Sequence, residues 1–236
     1  MRPNLKLTIS AALLALVLTA VAAQAGPVNV AVYRFHSQAE VDSFYKVKGA
    51  KCAKKWRKRN TLGLRVGKGT NACGFRSSVV ADSQDPGADQ EMAAAVNLAV
   101  ATPAAMRNRI YLGLAVRESN TAGYEFRLLP GARRWQLWRD PRGAARRTLL
   151  KAGGGNFIRR PGARNNILLR AFDYGTATTY LLAKVNGRRV FTGRDTSAGA
   201  PNGRRTVVKI GSKGKKSANR AVGAFDNVAI RVPNPF

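Results

Sequence analysis

Glu118 and Glu125 stand seven residues apart in RESNTAGYEFR, each with an arginine beside or near it, Arg117 and Arg127. Two carboxyl groups held face to face can cleave a glycosidic bond, one as acid and the other as nucleophile or base. That chemistry needs one of them to keep its proton, and a neighbouring guanidinium lowers a carboxyl pKa. Both glutamates are therefore expected to titrate low, which argues against hydrolysis. A second pair, Asp89 and Glu91 in DQE, would share one side of an extended strand, but it leads into the apolar run MAAAVNLAV and lacks a third acid. The later acids, among them Asp140, Asp173, Asp195 and Asp226, fall one to an element. His36 is the only histidine, so no catalytic triad or zinc cluster can be composed around it. GKGT (67–70) and AGGGN (152–156) lack the strand, Lys-Ser/Thr and helix context of a phosphate loop and read as turns. No catalytic residue is assigned.

The charge is more informative than the acids. The chain has 41 Lys plus Arg against 12 Asp plus Glu, a net +29. Such a field favours polyanions: acidic envelope polymers, anionic glycans, anionic lipid surfaces or extracellular nucleic acid. Arginines outnumber lysines two to one after Ala25, and the planar guanidinium suits carboxylate, sulfate and phosphate. The plainer reading is a compositional bias with most of the charge solvated. The densest stretch, KCAKKWRKRN (51–60), sets six cations around Trp56 and reads as a basic edge or loop of the fold. Trp56 is expected to be tucked against the core, as large aromatics are on average.

Residues 1–25 form an expected signal peptide: Arg2 and Lys6 precede an apolar run from Ala11 to Val21, and AAQA ends in small residues. The run is too short for a comfortable membrane span. A single exported domain, 26–236, is expected to be secreted or associated with the cell envelope, and to be a monomer. In an oxidising compartment Cys52 and Cys73 are expected to pair; two free buried thiols are the alternative.

The elements that must position these residues are strands. Short apolar or alternating runs bounded by Gly, Pro, Asn and Asp recur at 30–35, 62–66, 73–81, 92–100, 109–117, 123–129, 133–139, 166–172, 178–185, 188–193, 206–211 and 225–232. Asn186-Gly187 predicts a two-residue hairpin turn, and Ser37 caps one short helix in SQAEVDSFY. KGKKSANR (213–220) and RRPGARN (159–165) read as exposed basic loops. Alternation puts Ile110, Leu112, Leu114 and Val116 on one face, with Tyr124, Phe126 and Leu128 and then Trp135 and Leu137 beside them as core. The opposite face would carry Arg109, Tyr111 and Arg117, then Glu125 and Arg127, then Gln136 and Trp138. Such a face could grip a sugar acid, with Trp138 as a stacking platform and the arginines as forks. Arg117, Glu125, Arg127 and Trp138 are thus the candidate binding residues, against the simpler reading of a solvated sheet face.

The central run YLGLAVRESNTAGYEFRLLPGARRWQLWR, then NNILLRAFDYGTATTYLLAKVNGRRVF, then VGAFDNVAIRV, resembles the concanavalin A-like jelly rolls. It is most similar to the LamG-like and 3-keto-disaccharide hydrolase branch, which is like family 16 of the glycoside hydrolases. The resemblance spans about Val30 to Val232. It implies an all-β sandwich of two antiparallel sheets, one concave, with any glycan site on the concave face or its rim. It also implies a structural calcium, for which Asp226 in FDN is the ligand to name, although one carboxylate amid so many cations is a weak hard-cation site. No other cofactor is implied. The Glu-x-Asp-x-Glu run of the family 16 glucanases has no counterpart here. The reading that follows is an exported, non-catalytic module for carbohydrate or another anionic polymer. A hydrolase of the 3-keto-disaccharide kind is the alternative, and nucleic-acid binding would be nonspecific.

Overall fold

The computed structural model describes residues 28–48, 51–57, 60–79, 89–119, 122–140, 146–173, 178–197, 199–213 and 221–232. Along the chain run β1 (Val28–Tyr33), α1 (Gln38–Asp42), β2 (Phe44–Lys48), β3 (Cys52–Arg57), β4 (Thr61–Val66), β5 (Ala72–Ser77) and β6 (Gln90–Leu98). There follow α2 (Ala104–Arg107), β7 (Ile110–Glu118), β8 (Gly123–Leu129), β9 (Arg134–Asp140) and β10 (Thr148–Gly154). The last five are β11 (Asn165–Asp173), β12 (Thr179–Val185), β13 (Arg188–Asp195), β14 (Arg205–Ser212) and β15 (Ala221–Val232).

The strands form two antiparallel sheets. An eight-stranded sheet has the order β13-β12-β11-β6-β15-β4-β3, with β1 also paired to β15, and a seven-stranded sheet has the order β10-β9-β8-β7-β14-β5-β2. Their inner faces meet in one core, where Ile110, Leu112, Leu114 and Val116 are fully buried beside Tyr124, Phe126, Leu128 and Leu137. The predicted alternation thus holds across β7, β8 and β9, because a period of two places every second side chain between the sheets. No helix among the described residues is long and apolar enough to cross a membrane.

All twelve expected strands are present. The Asn186-Gly187 turn takes positive φ at both residues (50° and 81°), and the Asn186 side chain locks it by accepting from Asn166 N–H and donating to Phe157 O. Ser37 caps α1, its hydroxyl accepting from Glu40 N–H. RRPGARN is a loop up to Arg164, whereas most of KGKKSANR lies outside the described residues.

Two strands, β2 and β10, were not expected from the pattern, and a third, β3, is the edge that was one of the two readings of KCAKKWRKRN; each lies at the edge of a sheet. β10 includes Ala152 to Gly154 of the stretch expected to be a turn. A Cβ on Gly153 would lie 2.8 Å from the Trp135 ring, so glycine there admits the indole rather than turning the chain. KCAKKWRKRN contributes β3. Trp56 is 41% exposed rather than buried, because an edge strand leaves one flank open to water. Its indole N–H is nonetheless satisfied by Phe35 O at 2.7 Å.

Cys52 and Cys73 are joined, tying edge strand β3 of one sheet to β5 of the other. The bridge closes a loop of 21 residues in sequence, which restricts the unfolded chain. The double variant Cys52→Ala/Cys73→Ala is expected to lose about 3 kcal/mol in urea unfolding. A midpoint unchanged from the oxidised parent would show that the staple contributes nothing.

Candidate functional site

On its outer face the seven-stranded sheet carries a charged cluster where a solvated surface would be expected. Register fixes its layout. Lys209, Gly113, Arg127 and Gln136 lie in one row across β14, β7, β8 and β9. Val207, Ala115, Glu125 and Trp138 form the next row. β7 separates Lys209 from Glu125, but it presents only Gly113 and Ala115 there. The lysine therefore crosses it and places its ammonium 3.2 Å from Glu125 Oε2. A Cβ on Gly113 would crowd Phe126 O at 2.9 Å and lie 3.7 Å from both Glu125 Oε1 and Lys209 Cβ, within this lane.

Glu125 is 3% exposed and accepts from three cations: Arg127 Nε at 2.6 Å, Arg147 at 2.5 Å and Lys209. Lys209 also donates to Glu118, which lies over Gly123. Arg147 reaches Asp140 at 2.9 Å on the rim. The guanidinium of Arg127 sits 4.2 Å above the Tyr111 ring and 5.3 Å from that of Trp138, and Arg147 sits 5.1 Å from Trp138. Cation–π contact thus joins the aromatics to the ion pairs. The Trp138 indole N–H donates to Gln136 Oε1 at 3.1 Å.

The structure brings Glu125, Arg127 and Trp138 together as expected. It sends Arg117 elsewhere. Arg117 takes φ 53°, and the pairing of β7 with β14 slips one residue beside it, so its side chain turns inward between the sheets. There it is 1% exposed and donates to Asp173 at 2.7 Å, Asp89 at 3.2 Å and Thr179 at 3.1 Å. Tyr124 O–H donates to Asp195 in the same inter-sheet region, and Asp195 also receives Arg139. Asp89 and Glu91 consequently do not share a site, since Glu91 faces outward between Arg170 and Arg231.

The expectation that both glutamates titrate low also changes. Burial raises the Glu118 carboxyl and Lys209 only partly opposes it, so its pKa stands above the ordinary value; the inward turn of Arg117 removes the cation expected to lower it. Burial opposes the charge on Glu125 too, but Lys209, Arg127 and Arg147 together outweigh it and hold this carboxyl well below the usual range. Burial would lower Lys209, yet Glu125 and Glu118 keep its ammonium charged and its pKa raised. Burial and then Glu125 push the Tyr111 phenol up.

Lys209, Arg147 and Asp140 were not among the sequence candidates. A lone cation in the apolar run TVVKIG was the available signal for Lys209. Asp226 does not fit a calcium ion: its Oδ2 is 3.2 Å from Arg164 and accepts from Asn227, so a guanidinium stands where a divalent cation would bind. No group of three or more metal-ligating side chains exists among the described residues.

No family model matches the chain, and no curated protein is similar to it in sequence. Solved structures are similar in fold. The endo-1,3-β-glucanase of Streptomyces sioyaensis aligns with TM-score 0.59 at 7% identity, over 89% of this chain and 98% of its own. An alginate lyase from Chlorella virus aligns with TM-score 0.58 at 9% identity, over 87% and 100%. A carbohydrate-binding module from Bacillus subtilis aligns with TM-score 0.52 at 13% identity, over 80% and 95%. The protein is a concanavalin A-like jelly-roll sandwich, as the sequence resemblance implied.

Removing the charge of Glu125 would leave buried Arg127 without a carboxylate and take one of two from Lys209 and from Arg147. Glu125→Gln is expected to cost about 3–5 kcal/mol in urea unfolding. Because the folded pKa of Glu125 is depressed, its contribution is present above the unfolded value of 4.5 and is lost as pH falls below it. Glu118, being raised, acts in the opposite sense and loses stability as pH climbs from 4.5 through its folded value. The parent should therefore lose more stability than Glu125→Gln between about pH 5 and 3. Parallel stability curves for the two proteins would refute this account of the cluster.

Proposed function

We propose that the chain is an exported, non-catalytic module that binds carbohydrate polymers bearing acidic groups, at the cell envelope or outside it. One observation carries the reading. Every described carboxylate except Glu40 is taken up in an ion pair, so the protein's large excess of cations faces its surroundings on a fold shared with a carbohydrate-binding module. The expected leader, residues 1–25, lies outside the described residues; the Cys52–Cys73 bridge suits an oxidising compartment.

At the cluster, Trp138, Arg147, Asp140 and Glu118 are partly exposed, and a sugar acid would meet Trp138 and Arg147 as the aromatic and the cation among them. The ligand carboxylate would meet the Arg147 guanidinium, one of whose terminal nitrogens now donates to Glu125 while its Nε faces Asp140. Arg127, Gln136 and Lys209 hold these two side chains in place from below. A bidentate guanidinium contact beside an indole face is the kind of site that orients an acidic sugar.

The hydrolase reading has one observation in its favour. Glu118 and Glu125 have pKa values driven apart, as an acid and its partner would need. Against it, the Lys209 ammonium bonds both carboxylates and fills the gap that a scissile bond would enter. Glu125 also spends its oxygens on three cations, and Tyr111 is too buried and too weak an acid to serve as a base.

An array of acidic and neutral glycans with DNA, probed with the mature protein at low and several-fold higher salt, tests the proposal. One class of acidic glycan should remain bound at high salt, and Trp138→Ala should weaken it by roughly tenfold, the loss of one aromatic contact. Binding that vanishes with salt for every anion and ignores the substitution would reduce the activity to counterion release. Turnover of a bound glycan, abolished by Glu118→Gln, would establish the hydrolase instead.

A further inference from the structure

The outer face of the eight-stranded sheet is built differently. Ala93 and Ala95 of β6 and Ala224 of β15 form a low floor between taller neighbours. Two adjoining depressions of ≈ 230 and ≈ 370 Å³ result, and they share Ala95 and Arg164. Asn166, Lys184 and Asn227 wall the first; Thr61, Asn97 and Asp226 wall the second.

Cations extend the face toward both edges. Arg65 projects outward from β4 between buried Leu64 and Val66. Lys55 and Arg57 are exposed on β3, and Arg57 lies across Gly63, where a Cβ would come 2.3 Å from its Cδ. At the other side Lys184 is in register with exposed Arg189. The acids of this face are already engaged. Glu91, 1% exposed, is clamped by Arg170 at 2.5 Å and Arg231 at 2.8 Å, and Asp226 meets Arg164. Lys55, Arg57, Arg65, Lys184 and Arg189 make no ion pair with any described carboxylate. From β3 to β13 the face spans seven strands, roughly 30 Å at the usual interstrand spacing.

The lining indicates the chemistry of the occupant. Asn97 is held in the wall of the second depression by its Nδ2, which donates to Gly162 O at 2.9 Å. With Asn166, Asn227 and Thr61 it gives the two depressions amide and hydroxyl groups that can both donate to and accept from sugar hydroxyls. The cations around them ask for the acidic groups of such a polymer.

We infer that this face is a second binding track, for an acidic polysaccharide that crosses the strands between Lys55–Arg57 and Lys184–Arg189 over the alanine floor. It stands apart from the Trp138 site, which is on the opposite face. A molecule with both would bridge two polymer chains.

Calorimetric titration of the mature protein with a size-defined oligouronate and a heparin oligosaccharide tests it, with single-stranded DNA of equal charge as competitor. The triple variant Arg65→Ser/Lys184→Ser/Arg189→Ser alters only exposed or half-exposed, unpaired side chains and should keep its fold. It should weaken binding of one of the two probes by roughly tenfold. Ala93→Phe, which fills the floor without changing charge, should do the same, whereas Trp138→Ala should leave this site intact. Unchanged affinity in the triple variant would overturn the inference. So would Ala93→Phe binding as tightly as the parent, or DNA displacing the oligosaccharide equally well at every salt concentration. Should Ala93→Phe fail to fold, the triple variant and the DNA competition decide. Loss of binding in Trp138→Ala alone would leave the proposed rim site standing and remove this one.

Discussion

The constraint behind the rest of this structure is a shortage of carboxylate. A chain with 41 cations and 12 acids cannot bury a cation without spending an acid on it. An unpaired buried charge costs several kcal/mol, while a pair with good hydrogen bonds roughly offsets its own desolvation. The fold therefore gathers its acids where cations must be covered. Glu118, Glu125 and Asp140 match Lys209, Arg127 and Arg147 on the seven-stranded sheet. Asp89, Asp173 and Asp195 match Arg117 and Arg139 between the sheets. Glu91 and Asp226 serve the outer face of the eight-stranded sheet. Among the described residues only Glu40 and Asp42 are left over, so the field of the described surface follows from how the buried cations are matched.

How much of this could be read from the chain depends on locality. The core of β7, β8 and β9 was legible because burial on one face imposes a period of two on adjacent residues. β2 and β10, which escaped, and β3, left open between edge and loop, are edges, where one flank faces water and selection for alternation is weak. KCAKKWRKRN is the clearest instance. Its lysines made it look like a loop as much as a strand, and at an edge those charges also discourage pairing with another chain. The same openness leaves Trp56 half in water, its N–H anchored to Phe35.

The candidate site was legible in part, and the misplaced residue shows why. Glu125, Arg127 and Trp138 lie on neighbouring strands of one meander, so counting alternate positions placed them correctly. Arg117 has the same parity, but a one-residue slip against β14 reverses its direction, and nothing local to RESN announces a register shift imposed by a strand some 90 residues away. Lys209 was missed for a related reason. Its partners are separated from it by 91 and 84 residues, so no window on the sequence contains the contact. Without Lys209, and with Arg117 assumed nearby, the two glutamates appear equivalent. With the actual neighbours they differ sharply.

That difference bears on binding and catalysis together. A catalytic carboxylate must exchange its proton or attack a substrate carbon, and both require an oxygen whose present partners are weaker than the transition state. Glu125 is bound by three cations in a water-poor position, and Glu118 is held through the same lysine. Exchanging such contacts within a turnover would expose buried charge at each cycle. Arg147 at the rim faces a smaller barrier, because a ligand acid can approach it from solvent beside Asp140 while Glu125 keeps Arg127 and Lys209. Contact made there leaves the buried ion pairs in place, which proton exchange or attack by Glu125 would not.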